Sequence, residues 1–347
     1  MHIDSGSFAE PAFTLFLDEA IPACGALAVL VTGDLIEVGN NLGSWETYQA
    51  MVDERGLDAE TYIETPGNHD SLLDRKLANY LVYSLAGRNG HGTYGLYHLG
   101  AGSDLVRIIA LNTVSAENPA QDATGYLQES QVDEILAEIA NDGRVPRETL
   151  ILGHHPLDTP NGLQLWGTDA HLERLIAETG AITYLYGHVH MALDYWYEQT
   201  LISQASTLGN PSSGTLTTHA AFSLFALDDG PVTKNVPLLG EPASLSIDWP
   251  VVMITRPANP AVGIENPLAT PLPRASSNQI LRAGVFAPTE PEDVLFSIDQ
   301  GPFQPMTRVA NYYEASFTTP DAASCTIEVK ASAGGNTASD SVDIELA

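Results

Sequence analysis

Apolar positions in this chain gather into short runs that repeatedly end in glycine followed by a side chain able to bind metal. Ala26-Leu-Ala-Val-Leu-Val-Thr32 is nearly continuous in strand-type and small apolar residues, the pattern of a strand covered on both faces, and it runs into Gly33-Asp34. Thr61–Pro66 is a second short strand, ending in Gly67-Asn-His-Asp70. Leu150–Leu152 leads to Gly153-His-His-Pro156, and Ala181–Tyr186 to Gly187-His-Val-His190. Helical spacing separates these runs, over Phe13–Glu19, Asn40–Arg55, Leu72–Leu85, Gln128–Ile139 and Ala170–Thr179, the last stopped by Gly180. Thr93–Leu99 and Val106–Asn112 read as paired strands across a Gly-rich turn. Such alternation predicts an α/β domain with mixed central sheets flanked by helices.

The pattern changes further along. Thr200–Ser206 and Ala221–Leu227 read as strands closing the first domain, and Asp228–Glu241, with its Gly and Pro, reads as a loop at the domain boundary. The expected domains are therefore 1–235 and 245–347. In the second, Pro250–Thr255, Gln279–Phe286, Val294–Ile298, Tyr312–Thr318, Cys325–Ala331 and Ser341–Leu346 are short strands between turns rich in Pro, Gly, Asp and Ser. No long helix intervenes, which predicts a small all-β sandwich of immunoglobulin or fibronectin type, although a Cys…Trp…Cys framework is lacking. Its expected role is to pack on the first domain, shape the cleft rim or hold a protein partner.

Composition narrows the function. A chain of 347 residues with 44% hydrophobic content can bury two cores. The formal charge of −30 argues against sequence-independent binding of nucleic acid or anionic lipid, because both need a basic surface. No apolar run approaches the ~20 residues of a membrane span. The compartment is left unknown, with the acidic, lysine-poor surface leaning toward an extracytoplasmic one. Cys24 and Cys325, far apart in sequence, are read as free thiols.

The strand ends carry the chemistry. Alternation along Ala181–Tyr186 sends His188 and His190 to one side just past its carboxyl end, where open α/β sheets place their sites. Two imidazoles so close suit a metal ion. Each strand end taken alone has a plainer reading: Asp34 as a helix cap, Asn68 as a turn residue, the histidines as hydrogen-bonded core groups. Four strand ends delivering Asp34, Asn68/His69, His154/His155 and His188/His190 in order favour one shared metal centre.

Gly33-Asp34, Gly67-Asn-His-Asp70, His154-x-Pro156 and Gly187-His-x-His190 resemble the motifs of the calcineurin-like metallophosphoesterase superfamily. The Trp45–Gln49 and Trp249–Thr255 stretches look more specifically like the branch that includes transmembrane protein 62. The motif resemblance spans roughly residues 2–230 and implies two divalent ions (Mn, Fe, Zn or Co). Asp34 would bridge them, with His2 and His190 on the first and Asn68, His154 and His188 on the second. His69 would stay unbound as general acid, and Asp70 and His155 would orient ligands. The implied activity is hydrolysis of a phosphodiester or phosphomonoester by hydroxide held between two cations ~3.5–4 Å apart, which also neutralise the anionic ester. The contrasting expectation is a protein with a weakened metal site that works through its sandwich domain.

One departure is specific. The family's first motif is Asp-x-His, and the aspartate matching His2 would precede Met1. This chain is therefore expected to begin earlier, or else to bind the first metal weakly, Asp4 being a poor substitute. Loops Pro156–Thr168 and Ala86–Gly92 are expected to supply substrate contacts, with Trp166, Tyr126 and Arg88 as candidate cleft residues.

Overall fold

A computed structural model describes residues 1–4, 8–114, 125–156, 170–190, 192–209, 220–228, 232–241, 244–263 and 265–347. Six strands form the main sheet, in the order Gly95–Leu99, Val106–Ala110, Glu148–Leu152, Thr183–Tyr186, Thr200–Gln204 and Leu193–Tyr197. The inner pairings are parallel and both edge pairings antiparallel. Val29–Val31 and Tyr62–Glu64 make a separate parallel pair. The result is the mixed α/β architecture that the apolar runs predict.

Both faces of the main sheet are covered. On one, Ile109, Ile151 and Tyr184 pack against Val132 and Ile135 of the helix Glu129–Asp142 and against Leu172, Leu175 and Ile176 of the helix Ala170–Thr179. On the other, Ile108, Leu150, Leu152 and Leu185 pack with Ile63 and with Phe225 and Leu227. Fully burying one such side chain contributes about 1.5–3 kcal/mol, so this double coverage fixes which strands sit at the centre. All four inner-strand carboxyl ends then point to the same edge.

Several expectations change. The apolar spacing over Leu72–Leu85 predicts one helix, yet helix begins only at Ala78–Tyr83. Leu73 and Leu77 take positive φ, and the Asp74 carboxylate accepts the Asn79 N–H at 2.7 Å, so a capped turn replaces the first part of the helix. The first helix is longer than Phe13–Glu19, running from Ala9–Leu15 through the π-helical Phe16–Ala20 into Ile21–Cys24. The edge strand Leu193–Tyr197 is missed because its hairpin turns at Glu198, a residue with no turn preference that adopts φ +53. The loop-like reading of Asp228–Glu241 also fails: Val232–Asn235 pairs with Leu224–Leu227, and Leu238–Glu241 pairs with Ala220–Ala221 and Ser244–Leu245. Here Gly and Pro punctuate short strands. At the opening of the chain, Ile3 makes a single parallel bridge with Ile36.

The last third is two four-stranded antiparallel sheets. One runs Val251–Arg256, Gln279–Phe286, Tyr312–Phe317, Thr307–Val309; the other runs Gln304–Pro305, Asp293–Ile298, Ser324–Ala333, Asn336–Glu345. Ser324–Ala333 alternates strictly, turning Cys325, Ile327, Val329, Ala331 and Ala333 inward. The first four of these meet Leu281, Ala283, Val294 and Phe296 in one core, the arrangement of a β-sandwich. Val251–Arg256 is apolar on both faces for a reason visible in the packing: Val252 and Ile254 enter the sandwich core, while Val251 and Met253 enter the core containing Trp45 and Tyr48. Asp228 reinforces that junction by accepting from Arg282 at 2.6 Å and from Thr255 at 2.9 Å. Both cysteines are free.

Candidate metal centre

Loops at the carboxyl ends of four strands converge on Asp34, which is 2% exposed. One of its carboxylate oxygens, Oδ2, lies 3.5 Å from His2 Nε2 and 3.2 Å from His154 Nε2. The other, Oδ1, accepts the His69 backbone N–H at 2.9 Å. Asn68 Oδ1 lies 2.9 Å from His154 Nε2 and 2.9 Å from His188 Nδ1, and His188 Nδ1 lies 3.2 Å from His154 Nε2. His2 Nε2 faces His190 Nε2 at 2.8 Å. Every ligand expected from the sequence is thus brought to one place, in two groups that meet at Asp34.

The motif glycines make that approach possible. A Cβ on Gly67 would stand 2.2 Å from Asp34 Oδ1, and one on Gly33, itself at φ +88, would stand 2.7 Å from His154 Nδ1. His2, Asp34, His188 and His190 all adopt positive φ. Each such non-glycine residue costs on the order of 1 kcal/mol, and strain of this kind persists where the surrounding structure holds a site in shape.

Hydrogen bonds on the far nitrogens set the tautomers. His154 Nδ1 donates to the Thr32 carbonyl at 2.6 Å, and His2 Nδ1 to Glu37 Oε2 at 2.8 Å, so the Nε2 lone pair of each ring faces the centre. In that tautomer His154 Nε2 joins Asn68 Oδ1 and Asp34 Oδ2 as a cluster of lone pairs, an arrangement that suits a cation. Burial, helped by the neighbouring His2, pushes His190 down to about 3, and burial also lowers His2, which keeps both imidazoles neutral. Burial by itself would raise Asp34 and lower His154, but their mutual attraction wins, holding Asp34 well below the usual carboxylate range and His154 above its own. The groups His154, His155 and His188, and His2, Asp34 and His69, with the Asn68 amide oxygen between them, offer nitrogen and oxygen donors of the kind that divalent Mn, Fe, Zn or Co accept.

His69 lies beside His2 and Asp34, its ring nitrogen within 4.8 Å of the ligand atoms of both. Its Nδ1 donates to the Glu37 carbonyl at 2.8 Å, its ring edge packs on His2 at 4.6 Å, and its side chain is 29% exposed. Asp70 is fully buried and accepts from backbone N–H groups: Oδ1 from Ile36 N at 3.1 Å and Oδ2 from Gly67 N at 2.8 Å. It fastens the Asp34 loop to the Asn68 loop, and burial pushes its carboxyl up to about 6, aided by Asp34. His155 Nδ1 bonds the Thr113 hydroxyl at 2.8 Å, and its carbonyl accepts from Tyr184 at 2.6 Å. Glu37, Thr32 and Thr113 are absent from the sequence-level list. Only Glu37 carried a signal, three residues after Asp34; a carbonyl and a threonine hydroxyl carry none.

The profile of the calcineurin-like phosphoesterases matches residues 1–192. This chain belongs to that family. Among solved structures, this phosphoesterase resembles a dimetal phosphatase from Danio rerio, at 14% identity over 65% of this chain and 85% of that one, with a TM-score of 0.49. It also resembles TT1561 of Thermus thermophilus, at 14% identity over 65% and 92% with a TM-score of 0.45. A third is GAP50, the anchor in the inner membrane complex of Plasmodium, at 11% identity over 70% and 81% with a TM-score of 0.46. Comparison with curated protein sequences returns no match. No described helix is long and apolar enough to cross a membrane. Of the rim residues, Trp166 and residues 157–168 lie outside the described part; Tyr126 is exposed, and Arg88 pairs with Asp53.

Proposed function

We propose that this phosphoesterase hydrolyses a phosphomonoester or phosphodiester at a centre of two divalent ions. His2, His190 and Asp34 would hold one ion, and Asp34, Asn68, His154 and His188 the other. The observation that carries this reading is the position of Asp34 Oδ2, within 3.5 Å of an imidazole nitrogen from each group. Two bound cations supply charge neutralisation of the ester and acidify water. The protein's own residues do the rest. Glu37 and Thr32 hold His2 and His154 in the tautomers that turn Nε2 inward, and Asp70 keeps the two loops in register.

His69 is assigned the leaving-group proton. Because its Nδ1–H is held by the Glu37 carbonyl, Nε2 is the nitrogen left to give a proton to the departing oxygen. By motif spacing we place the chain nearest the transmembrane protein 62-like branch, and we propose that the sandwich is immunoglobulin-like and serves as a packing module for the catalytic domain, divided as 1–235 and 245–347. The test is to load the protein with Mn, count bound ions by elemental analysis, and assay bis-p-nitrophenyl phosphate against p-nitrophenyl phosphate. Two ions per chain with turnover of either ester is the expected result; two ions with turnover of neither overturns the reading.

A further inference from the structure

A cavity of about 540 Å³ is walled by segments that adjoin the His69–Asp70 loop and Thr113 in sequence. Asn112 and Val114 line it and flank Thr113, the residue whose hydroxyl holds His155. The lining also includes the turn of Arg75, Lys76 and Leu77, which comes after the His69–Asp70 loop and residues 71–74. That turn is fixed to the same frame, because Asn79 donates to the Gly39 carbonyl at 2.9 Å and Gly39 packs against the Asp70 carbonyl. The volume lies within the range of small-molecule sites.

Its charge is unusual for this molecule. The chain holds 44 acidic and 14 basic residues, yet none of the described lining residues is Asp or Glu. A second cavity of about 510 Å³, at the first helix, is lined by Glu10, Asp18 and Glu19, so the lack of acids belongs to the first cavity and not to cavities in general. Lys76 is exposed and has no ion pair or hydrogen bond among the described residues. The chain's other two lysines are engaged, Lys234 with Asp194 at 2.7 Å and Lys330 over the Phe303 ring. Leu77 and Leu81 add an apolar side to the cavity.

We propose that this cavity receives the alcohol portion of the phosphoester and selects an alcohol bearing a second anionic group, with the Lys76 ammonium as its counter-charge. The inference rests on the phosphoesterase reading and narrows its substrate class. An ester with one negative end at the ions and another at Lys76 would be held at two points, which fixes its orientation. The attraction is partly screened, so its effect on selectivity should be moderate and should weaken in salt.

The experiment compares phenyl phosphate with 4-carboxyphenyl phosphate, two esters of similar shape differing by one carboxylate, on the Mn-loaded full chain. The kcat/KM ratio should favour the carboxylated ester about tenfold, fall to about one in Lys76→Ala, and survive in Lys76→Arg. A ratio of one in the unmodified protein, or a preference that Lys76→Ala leaves intact, overturns the proposal while the phosphoesterase reading stands. If the unmodified protein hydrolyses neither of these monoesters, the phosphoesterase reading is judged by its own assay on a monoester and a diester. Calorimetric titration with the two esters then decides the cavity: tighter binding of the carboxylated one, lost in Lys76→Ala, supports the proposal, and equal binding refutes it.

Discussion

His2 and His190 are 188 residues apart in the chain, and their Nε2 atoms face one another at 2.8 Å. Each ring is buried or half-buried beside Asp34, and burial keeps both neutral. A pair of lone-pair donors held this close is stable only with a proton or a cation between them. The contact joins the first and last residues of the motif set beside Asp34.

Asp34 is the residue both ligand groups share, so its loss should empty both. Asp34→Asn removes the one carboxylate charge among the proposed ligands and is expected to abolish metal binding and activity together; His188→Ala should remove the second ion. Elemental analysis after dialysis measures this directly, and full metal content in Asp34→Asn would disprove the shared role.

His69 is expected to behave differently. His69→Ala should keep its metal and slow turnover by ~10²–10⁴-fold, most for esters with poor leaving groups, because a general acid matters most where the departing oxygen is basic. An emptied centre in His69→Ala would mean that it is a ligand instead.

Glu37 fixes His2 through a 2.8 Å bond to Nδ1. Glu37→Gln should lower affinity for the ion on the His2 side by ~10–100-fold while leaving the Asn68 side nearly unchanged. Stepwise metal titration separates the two, and unaltered affinity for both ions would show that the carboxylate does not position His2.

Glu64 predicts a pH effect on stability. It is buried with Tyr48 as donor to one oxygen and Ala86 N to the other at 2.9 Å, and burial raises its carboxyl from 4.5 to about 7. The folded state therefore holds this proton more tightly than the unfolded chain does. The stability it contributes is full below pH 4.5 and is lost as pH rises through about 7, a change of at most a few kcal/mol. Glu64→Gln mimics the protonated form and should flatten that part of the fall in Tm between pH 4.5 and 7. Identical pH profiles for the two proteins would rule out a buried, protonated Glu64.

The sequence by itself marked the strands that lead to Asp34, Asn68, His154 and the His188–His190 pair, and the chemistry at their ends. Apolar runs of period two or none, each closed by glycine and a metal-capable residue, leave few alternatives once four of them recur, and Asp34, Asn68, His154, His188 and His190 were legible for that reason. Only the tertiary structure decided how they are held. The Leu72–Leu77 turn, the Glu198 hairpin, the Thr32 carbonyl behind His154, the Thr113 hydroxyl on His155 and the two-sided strand Val251–Arg256 all depend on which surfaces meet. Local periodicity records what a residue prefers to face. It does not record which backbone carbonyl or neighbouring wall will be there when the chain closes.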